Sequence, residues 1–428
     1  MKMDAARRER VLVNLSQRRA AMLHDLRLFV ETPTGPGPGM SDGLARLRQH
    51  IAERCVKLGA SVELVPGTPR PAWLAWNEAD RAGDGASADA PPTLVCRRSG
   101  GGRDGREGGG VLLSGHLDTV HATDGPFREL KLAADHATAT GPGVVDMKGG
   151  LVIAMHALEA LAEVGVEVPG GWGWILNSDE ETGSFHSDAA LRAEASRTLE
   201  GGARAYGVGI ALEPAMSKGE LAIARGGSGQ FMIEAFGKNA HVGRDFASGV
   251  SATRLLSEAV LKATSLTDLS KGLAVNVGPM RCDQPPNVVP DYARAWGNVR
   301  YPTPEGAAVL EAGLAALEFG QASPGSATGG VRVRRVFNRP AKPTTDGTRA
   351  LAERARRVCE SLGQSLPFAS TAGVCDGNNL QAAGLATIDT LGVRGGGLHT
   401  PTEWIEIASL VERAQVLAMV MAGADATK

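Results

Sequence analysis

The period at which apolar residues recur changes along the chain, and each change marks an element. From 10 to 30 they fall at helical spacing (Val11, Leu15, Met22, Leu26, Phe29), predicting one helix that ends at Pro33-Thr34-Gly35-Pro36-Gly37-Pro38-Gly39. Ser41 is placed to cap a second amphipathic helix carrying Leu44, Leu47, Ile51 and Leu58. Short apolar runs then predict strands at 62–65, 92–97, 111–116, 173–178 and 207–212, with a helix over 151–164. Strand 92–97 sits between two polar, mobile loops rich in Gly, Asp, Arg and Ala within 79–110.

From Gly219 the pattern changes. Strand-like 230–236, helical 251–263, strand-like 272–277 and 292–300, helical 304–317 and strand-like 330–336 spell a split βαβ unit of independent-domain size. The chain then returns to a helix (344–362), an apolar and small segment (368–385), a strand (387–392) and a last helix (405–421). The predicted class is α/β: a mixed β-sheet flanked by helices in 1–217 and 337–428, interrupted by a ferredoxin-like α+β insertion at 218–336.

Length is compatible with this division, because 428 residues exceed the roughly 250–300 at which single cores stop growing. A formal net charge of -2 provides no basic field, which argues against nucleic acid or an anionic membrane as partner. Five scattered cysteines without a Cys-x-x-Cys pair suggest neither a disulfide framework nor a thiolate zinc site, and fit a reducing, cytoplasmic setting. The Arg-rich stretch 1–28 reads as helix rather than a signal peptide. The longest apolar stretch, 151–161, is interrupted by His156 and Glu159, so a soluble protein is expected.

Chemistry gathers where apolar runs end. Val111-Leu112-Leu113 leads through Ser114-Gly115 to His116 and Asp118; Trp174-Ile175-Leu176 leads to Asp179-Glu180-Glu181; Ile210-Ala211-Leu212 leads to Glu213, with Pro214 stopping the strand. The carboxyl ends of strands line the ligand crevice of open α/β sheets. Side chains at i and i+2 of an extended segment share a face, so Asp118 can orient the ring of His116. Gly141-Pro142-Gly143-Val144-Val145-Asp146-Met147-Lys148-Gly149-Gly150 encloses one acid in an irregular, glycine-rich backbone, and His399 follows a further glycine run. Two imidazoles with a surplus of carboxylates and no thiolate are the donor set of a catalytic zinc or mixed-metal site. Adjacent Glu180 and Glu181 cannot both face one ion in an extended chain, so one ligates while its neighbour holds the proton of a water. His121, His136, His156 and His186, away from apolar strand ends, read as structural or surface residues.

Together, Gly115-His116-Leu117-Asp118-Thr119-Val120, Gly141-Pro142-Gly143 with Asp146-Met147-Lys148-Gly149-Gly150, Asp179 to Ser184, Leu212-Glu213-Pro214, Ala240-His241-Val242-Gly243 and His399 resemble the two-zinc aminoacylase, acetylornithine deacetylase, succinyl-diaminopimelate desuccinylase and glutamate carboxypeptidase family. Within it the chain is most similar to the carboxypeptidase G type of glutamate carboxypeptidase. The resemblance implies that His116, Asp146 and Glu213 hold one zinc and that Asp146, Glu181 and His399 hold the other, with Asp146 bridging. Co2+ or Mn2+ are implied as substitutes. It further implies Glu180 as general base, Asp118 as the outer hydrogen-bond partner of His116, and a cis peptide at Asp146-Met147. The inserted segment would dimerise, and His241 would reach the active site of the second subunit in a homodimer. Asn287, Arg300 and Arg339 match positions near a substrate carboxylate, where a guanidinium can bond both oxygens.

The implied activity is hydrolysis of a small peptide or N-acyl amino acid beside a free carboxylate, glutamate release being the first reading. Deacylation of an N-acetyl or N-succinyl amino acid is the alternative. A non-catalytic zinc-binding protein of the same fold would require loss of the base or a ligand, and neither is lost. The chain departs from the glutamate-cleaving pattern at Ala372-Gly373-Val374-Cys375-Asp376-Gly377, where a glycine run precedes Thr-Asp in that branch, and at Arg244 after His241.

Overall fold

The computed structural model describes residues 3–76, 90–100 and 109–423, so the polar loops expected around strand 92–97 lie mostly outside the described residues. The apolar period of 10–30 produces two helices rather than one, α1 (Ala5–Gln17) and α2 (Arg19–Glu31), because Arg18 leaves helical geometry at φ −86°, ψ 2°. Its guanidinium is engaged by Asn14, Glu159 and Glu163. Helix α3 (Met40–Lys57) starts from Gly39 rather than at the expected cap Ser41. Next come β1 (Ser61–Val65), β2 (Thr93–Ser99), β3 (Gly110–His116), α4 (Gly149–Val164), β4 (Gly171–Asn177), α5 (Asp188–Ala195) and β5 (Tyr206–Ala211). The middle of the chain forms β6 (Leu221–Arg225), β7 (Gly227–Phe236), α6 (Ala252–Thr264), β8 (Ala274–Arg281), β9 (Tyr292–Tyr301), α7 (Pro304–Ala315) and β10 (Gly330–Arg339). The last part adds α8 (Asp346–Ser361), β11 (Phe368–Thr371), α9 (Asp376–Ala382), β12 (Ala386–Ile388) and α10 (Ala408–Met421). The expected helix over 405–421 is shorter because Trp404–Glu406 is a strand paired with Thr138–Thr140.

The first sheet is mixed and runs β1-β2-β4-β3-β5-β12. Strands β4, β3, β5 and β12 are parallel, while β2 is antiparallel to β4. Central β3 is buried along its whole length, which accounts for its unbroken apolar run. Its pleat sends Leu113 into a core shared with α4 and α10, and Leu112 into one shared with α5 and α9. Parallel alignment brings the carboxyl ends of four strands to one edge, where His116, Asp179, Glu180, Glu181, Glu213 and Asp389 follow. Helix α4 approaches this edge closely: a Cβ on Gly150 would lie 2.2 Å from the Leu212 carbonyl oxygen, so only glycine fits.

The second sheet is antiparallel, ordered β8-β9-β7-β10 with Phe319–Gly320 beyond β10. Helices α6 and α7 pack against it over a separate core that runs from Phe231 to Ala341. The βαββαβ order is the expected one, but its edges move inward at one end and outward at the other. β6 pairs with β11 and its Leu221 joins the first core, whereas β10 continues past 336 to Arg339. Among the described residues no helix is long and apolar enough to cross a membrane. All five cysteines are free thiols.

A partly buried ion network ties the helices behind the first sheet. Arg54 of α3 donates to Asp25 of α2 at 2.5 Å and to both oxygens of Glu159 of α4 at 2.7 and 2.8 Å, and His156 Nε2 lies 2.8 Å from Asp25. Burial alone would raise the Asp25 carboxyl pKa, but the hydrogen bonds from His156 and Arg54 outweigh it and hold it at about 2. A depressed folded-state pKa stabilises above the unfolded value near 3.8, and the benefit disappears as pH falls toward 2. Asp25→Asn is therefore expected to cost about 2 kcal/mol at neutral pH. In urea unfolding at stepped pH, the gap between wild type and variant should close between about pH 4 and pH 2; a gap independent of pH would contradict the assignment.

Candidate metal centre

At the end of β3 the His116 ring is buried, with Nδ1 3.0 Å from the Asp118 carbonyl oxygen and 3.4 Å from Asp118 Oδ1. A carbonyl cannot donate, so Nδ1 carries the hydrogen and Nε2 is the atom turned to Asp146 Oδ1, 3.1 Å away. Without a cation between them, that contact requires a second proton on the ring. Burial opposes this, but the bonds to Asp118 and Asp146 prevail and raise the His116 pKa well above its usual value. The other oxygen of Asp146, Oδ2, lies 3.4 Å from His399 Nε2, which is 3.3 Å from Glu181 Oε2. His399 is half exposed and held at φ 62°, a left-handed backbone uncommon for any residue but glycine. His116, Asp146 and Glu181 each offer a ligand atom within 4.8 Å of the others.

These separations bear on what the cage can hold. Two donor atoms on a tetrahedral ion with bonds of ~2.0–2.1 Å sit about 3.3 Å apart. The observed 3.1, 3.3 and 3.4 Å match such ligand-to-ligand spacings. Charge agrees. Burial, reinforced by neighbouring acids, pushes the carboxyl pKa of Glu180 up to about 7 and that of Glu181 up to about 8, and that of buried Glu213 also rises well above the usual range. Asp146 moves the other way: the bonds from His116 and His399 outweigh its burial and lower its pKa. Hydrogen bonding to Asp146 raises the His399 pKa to about 9. Such a site contains more acid than its imidazoles neutralise, and divalent cations suit it.

Asp146 is held by a device not foreseen from sequence. Buried Glu403 accepts the backbone N–H groups of Gly143 (3.1 Å), Val145 (2.8 Å) and Asp146 (3.0 Å), and His121 Nε2 lies 2.5 Å from its carboxylate. At Gly143 the backbone is left-handed (φ 71°), and a Cβ would come within 2.4 Å of Thr119 Cγ2. The Asp146-Met147 peptide is cis, as the resemblance implied. Glu403→Gln would turn an amide toward these donors and orphan at least one buried N–H. It is expected to cost about 2–4 kcal/mol in denaturant unfolding, and an unchanged midpoint would rule out this role.

Of the remaining predicted residues, Asp118 accepts the Glu181 N–H at 2.9 Å, so it supports both His116 and the acid loop. Asp179 is turned away, accepting the His186 N–H at 2.6 Å. His156 and His186 are held by Asp25 and by the Thr68 carbonyl oxygen, and His136 lies on the surface. His241 and Asn287 are exposed and adjoin through the pairing of Ala240–His241 with Val288–Val289. His241 Nδ1 accepts the Gly243 N–H at 3.1 Å and its own N–H reaches Asp245 at 2.7 Å. Its recorded bonds thus stay within its own turn rather than reaching the acid cage. Arg300 is exposed on β9, in register with Ser228 of β7, which is in turn in register with Arg339 of β10. Residues directly opposite in antiparallel strands share a face, so the two arginines flank Ser228 on the same side. They differ in environment: Arg339 is 2% exposed and ion-paired to Glu180 and Asp376 at 2.7 Å each.

Comparison with known proteins gives the family and the fold. A model of the peptidase family M20/M25/M40 matches residues 112–422. Carboxypeptidase G2 of Pseudomonas sp. (strain RS-16) is 28% identical over 327 residues, 76% of each chain. Among solved structures, aminopeptidase PepT from Bacillus cereus ATCC 10987 superposes with a TM-score of 0.66 at 19% identity, covering 94% of this chain and 98% of that one. A tripeptidase from Staphylococcus aureus subsp. aureus mu50 gives a TM-score of 0.67 at 19% identity over the same shares.

Proposed function

The chain belongs to peptidase family M20/M25/M40 and is a hydrolase of the metallopeptidase class, and from that premise we propose that it is a two-zinc exopeptidase releasing an amino acid with a free carboxylate, glutamate foremost. The observation that carries the reading is the spacing of His116, Asp146, His399 and Glu181, which fits donors sharing cations. His116, Asp146 and Glu213 would hold one ion and Asp146, Glu181 and His399 the second, with Co2+ or Mn2+ able to substitute. When bound, the pair supplies Lewis-acid polarisation of the scissile carbonyl and lowers the pKa of the attacking water.

The chain's own residues do the rest. Glu180 takes the proton of the water and passes it to the leaving amine. Asp118 fixes the tautomer of His116 through Nδ1. His241 accepts at Nδ1, so its neutral ring keeps the hydrogen on Nε2, the donor needed at a developing oxyanion. In this reading it acts across a homodimer formed by the segment 218–336, between catalytic parts 1–217 and 337–428. Arg300, with no carboxylate partner among the described residues, offers a free guanidinium to the substrate carboxylate. The name of the 28%-identical relative supports glutamate as the released residue.

A panel of N-acyl glutamates and glutamyl-terminated peptides, assayed against acetylornithine and N-succinyl amino acids with and without chelator, tests this reading. Chelator-sensitive release of glutamate is the expected result. Preference for acetylornithine or a succinylated substrate would move the chain to the deacylase alternative.

A further inference from the structure

Arg339 was expected at a substrate carboxylate, yet its guanidinium is already occupied. Nη1 donates to Asp376 Oδ1 at 2.7 Å and Asn379 Oδ1 at 3.2 Å; Nη2 donates to Glu180 Oε1 and Ser184 Oγ, each at 2.7 Å. The one remaining donor, Nε, is buried without a partner. No pair of N–H groups is left for bidentate binding of a substrate, the geometry for which arginine is suited. The free guanidinium on this face is that of Arg300, one register position beyond Ser228.

The two acids that Arg339 joins come from different elements. Glu180 lies on the loop after β4, Asp376 begins α9, and Arg339 ends β10. Asp376 and Arg339 also share Ser184, whose hydroxyl donates to Asp376 Oδ1 and accepts from Arg339 Nη2, each at 2.7 Å, and Asp376 Oδ2 accepts from Asn177 at the end of β4 at 2.7 Å. Beside Arg339, Asn338 donates to the Gly183 carbonyl at 2.5 Å. The loop carrying the base is thus fastened from β10 and α9 by side chains that are all buried. Among the described residues only one oxygen of the Glu180 carboxylate, Oε1, receives a hydrogen bond, leaving Oε2 to accept a proton.

We propose that Arg339 is the positioning residue for Glu180: its guanidinium bridges Asp376 and Glu180 Oε1, and so aims Oε2 at the water to be deprotonated. This rests on the reading of Glu180 as general base. A planar fork with two donor ends is needed, because one ammonium cannot hold two carboxylates and a hydroxyl along fixed directions. The arrangement also makes the position of the second sheet a determinant of the base's aim, since Arg339 is placed by its pairing with Ser228.

The test uses the full chain with its metals. Arg339→Lys keeps the charge but not the fork, and is expected to lower kcat about 100-fold, the cost of a misplaced catalytic group, while KM stays within about threefold. Asp376→Asn, which leaves the Glu180 contact intact, should lower kcat less, again with KM preserved. Guanidinium ion added to Arg339→Gly should recover part of the lost kcat. Crystal structures of wild type and Arg339→Lys should show the Glu180 carboxylate rotated in the variant at equal metal content. A raised KM with kcat intact would instead make Arg339 a substrate-binding residue, and an unmoved Glu180 with unchanged kcat would remove it from catalysis. If the wild type cleaves no amide of the panel, the reading of Glu180 fails by itself, and the crystallographic comparison still decides whether Arg339 fixes that carboxylate.

Discussion

Glu180→Gln will lower kcat by roughly 10²–10⁴-fold, the range that a positioned general base contributes, without removing metal. The substitution is nearly isosteric, and the amide oxygen can still accept from Arg339 Nη2, which lies 2.7 Å from Glu180 Oε1. What is lost is the ability to take a proton. Stability should not fall, because a buried acid whose pKa is pushed up to about 7 is replaced by a neutral group of the same shape. Steady-state kinetics on a substrate identified from the panel, with elemental analysis of the same preparation, separates the two effects. Retained turnover would remove Glu180 from the mechanism, and lost metal would make it a ligand instead.

Asp146→Ala will have the other large effect, on metal content itself. Among the described residues, Asp146 is the one whose two oxygens face different imidazoles, Oδ1 toward His116 and Oδ2 toward His399. Its removal disconnects both halves of the cage, so bound metal should fall from the proposed two ions per chain to less than one. The loss of affinity should exceed the ~10–100-fold that removing even an outer partner of a metal ligand costs. The loop itself should persist, because Glu403 grips it through backbone N–H groups that alanine retains. Metal titration and circular dichroism on the variant check both halves of this expectation. Unchanged stoichiometry would show that Asp146 does not bridge.

The parts of this site that were legible in the sequence are those written by local pattern. The apolar run that leads through Ser114-Gly115 to His116 is readable because β3 is covered on both faces, and the acids after β4 and β5 are readable because parallel strands end together. The βαββαβ order was readable from the alternation of periods 2 and 3.6. The residues that escaped act over long separations through side chains. Glu403 binds Val145 across 258 positions, and in sequence it is one more acid ahead of a helix. Arg339 matches a substrate-carboxylate position in sequence, and what escaped is its role, because nothing local reveals that Glu180 and Asp376 converge on it. The break at Arg18 was invisible for a related reason: neither glycine nor proline marks it, and apolar spacing runs through it unchanged. The acids that engage the Arg18 guanidinium there lie on α4.

The most direct test of the account is the number of metal ions that the cage accepts. Protein stripped with chelator, reloaded with excess Zn2+ and freed of unbound ion should contain two zinc ions per chain by elemental analysis, and amide hydrolysis should return with them. One ion per chain, or none, would contradict it.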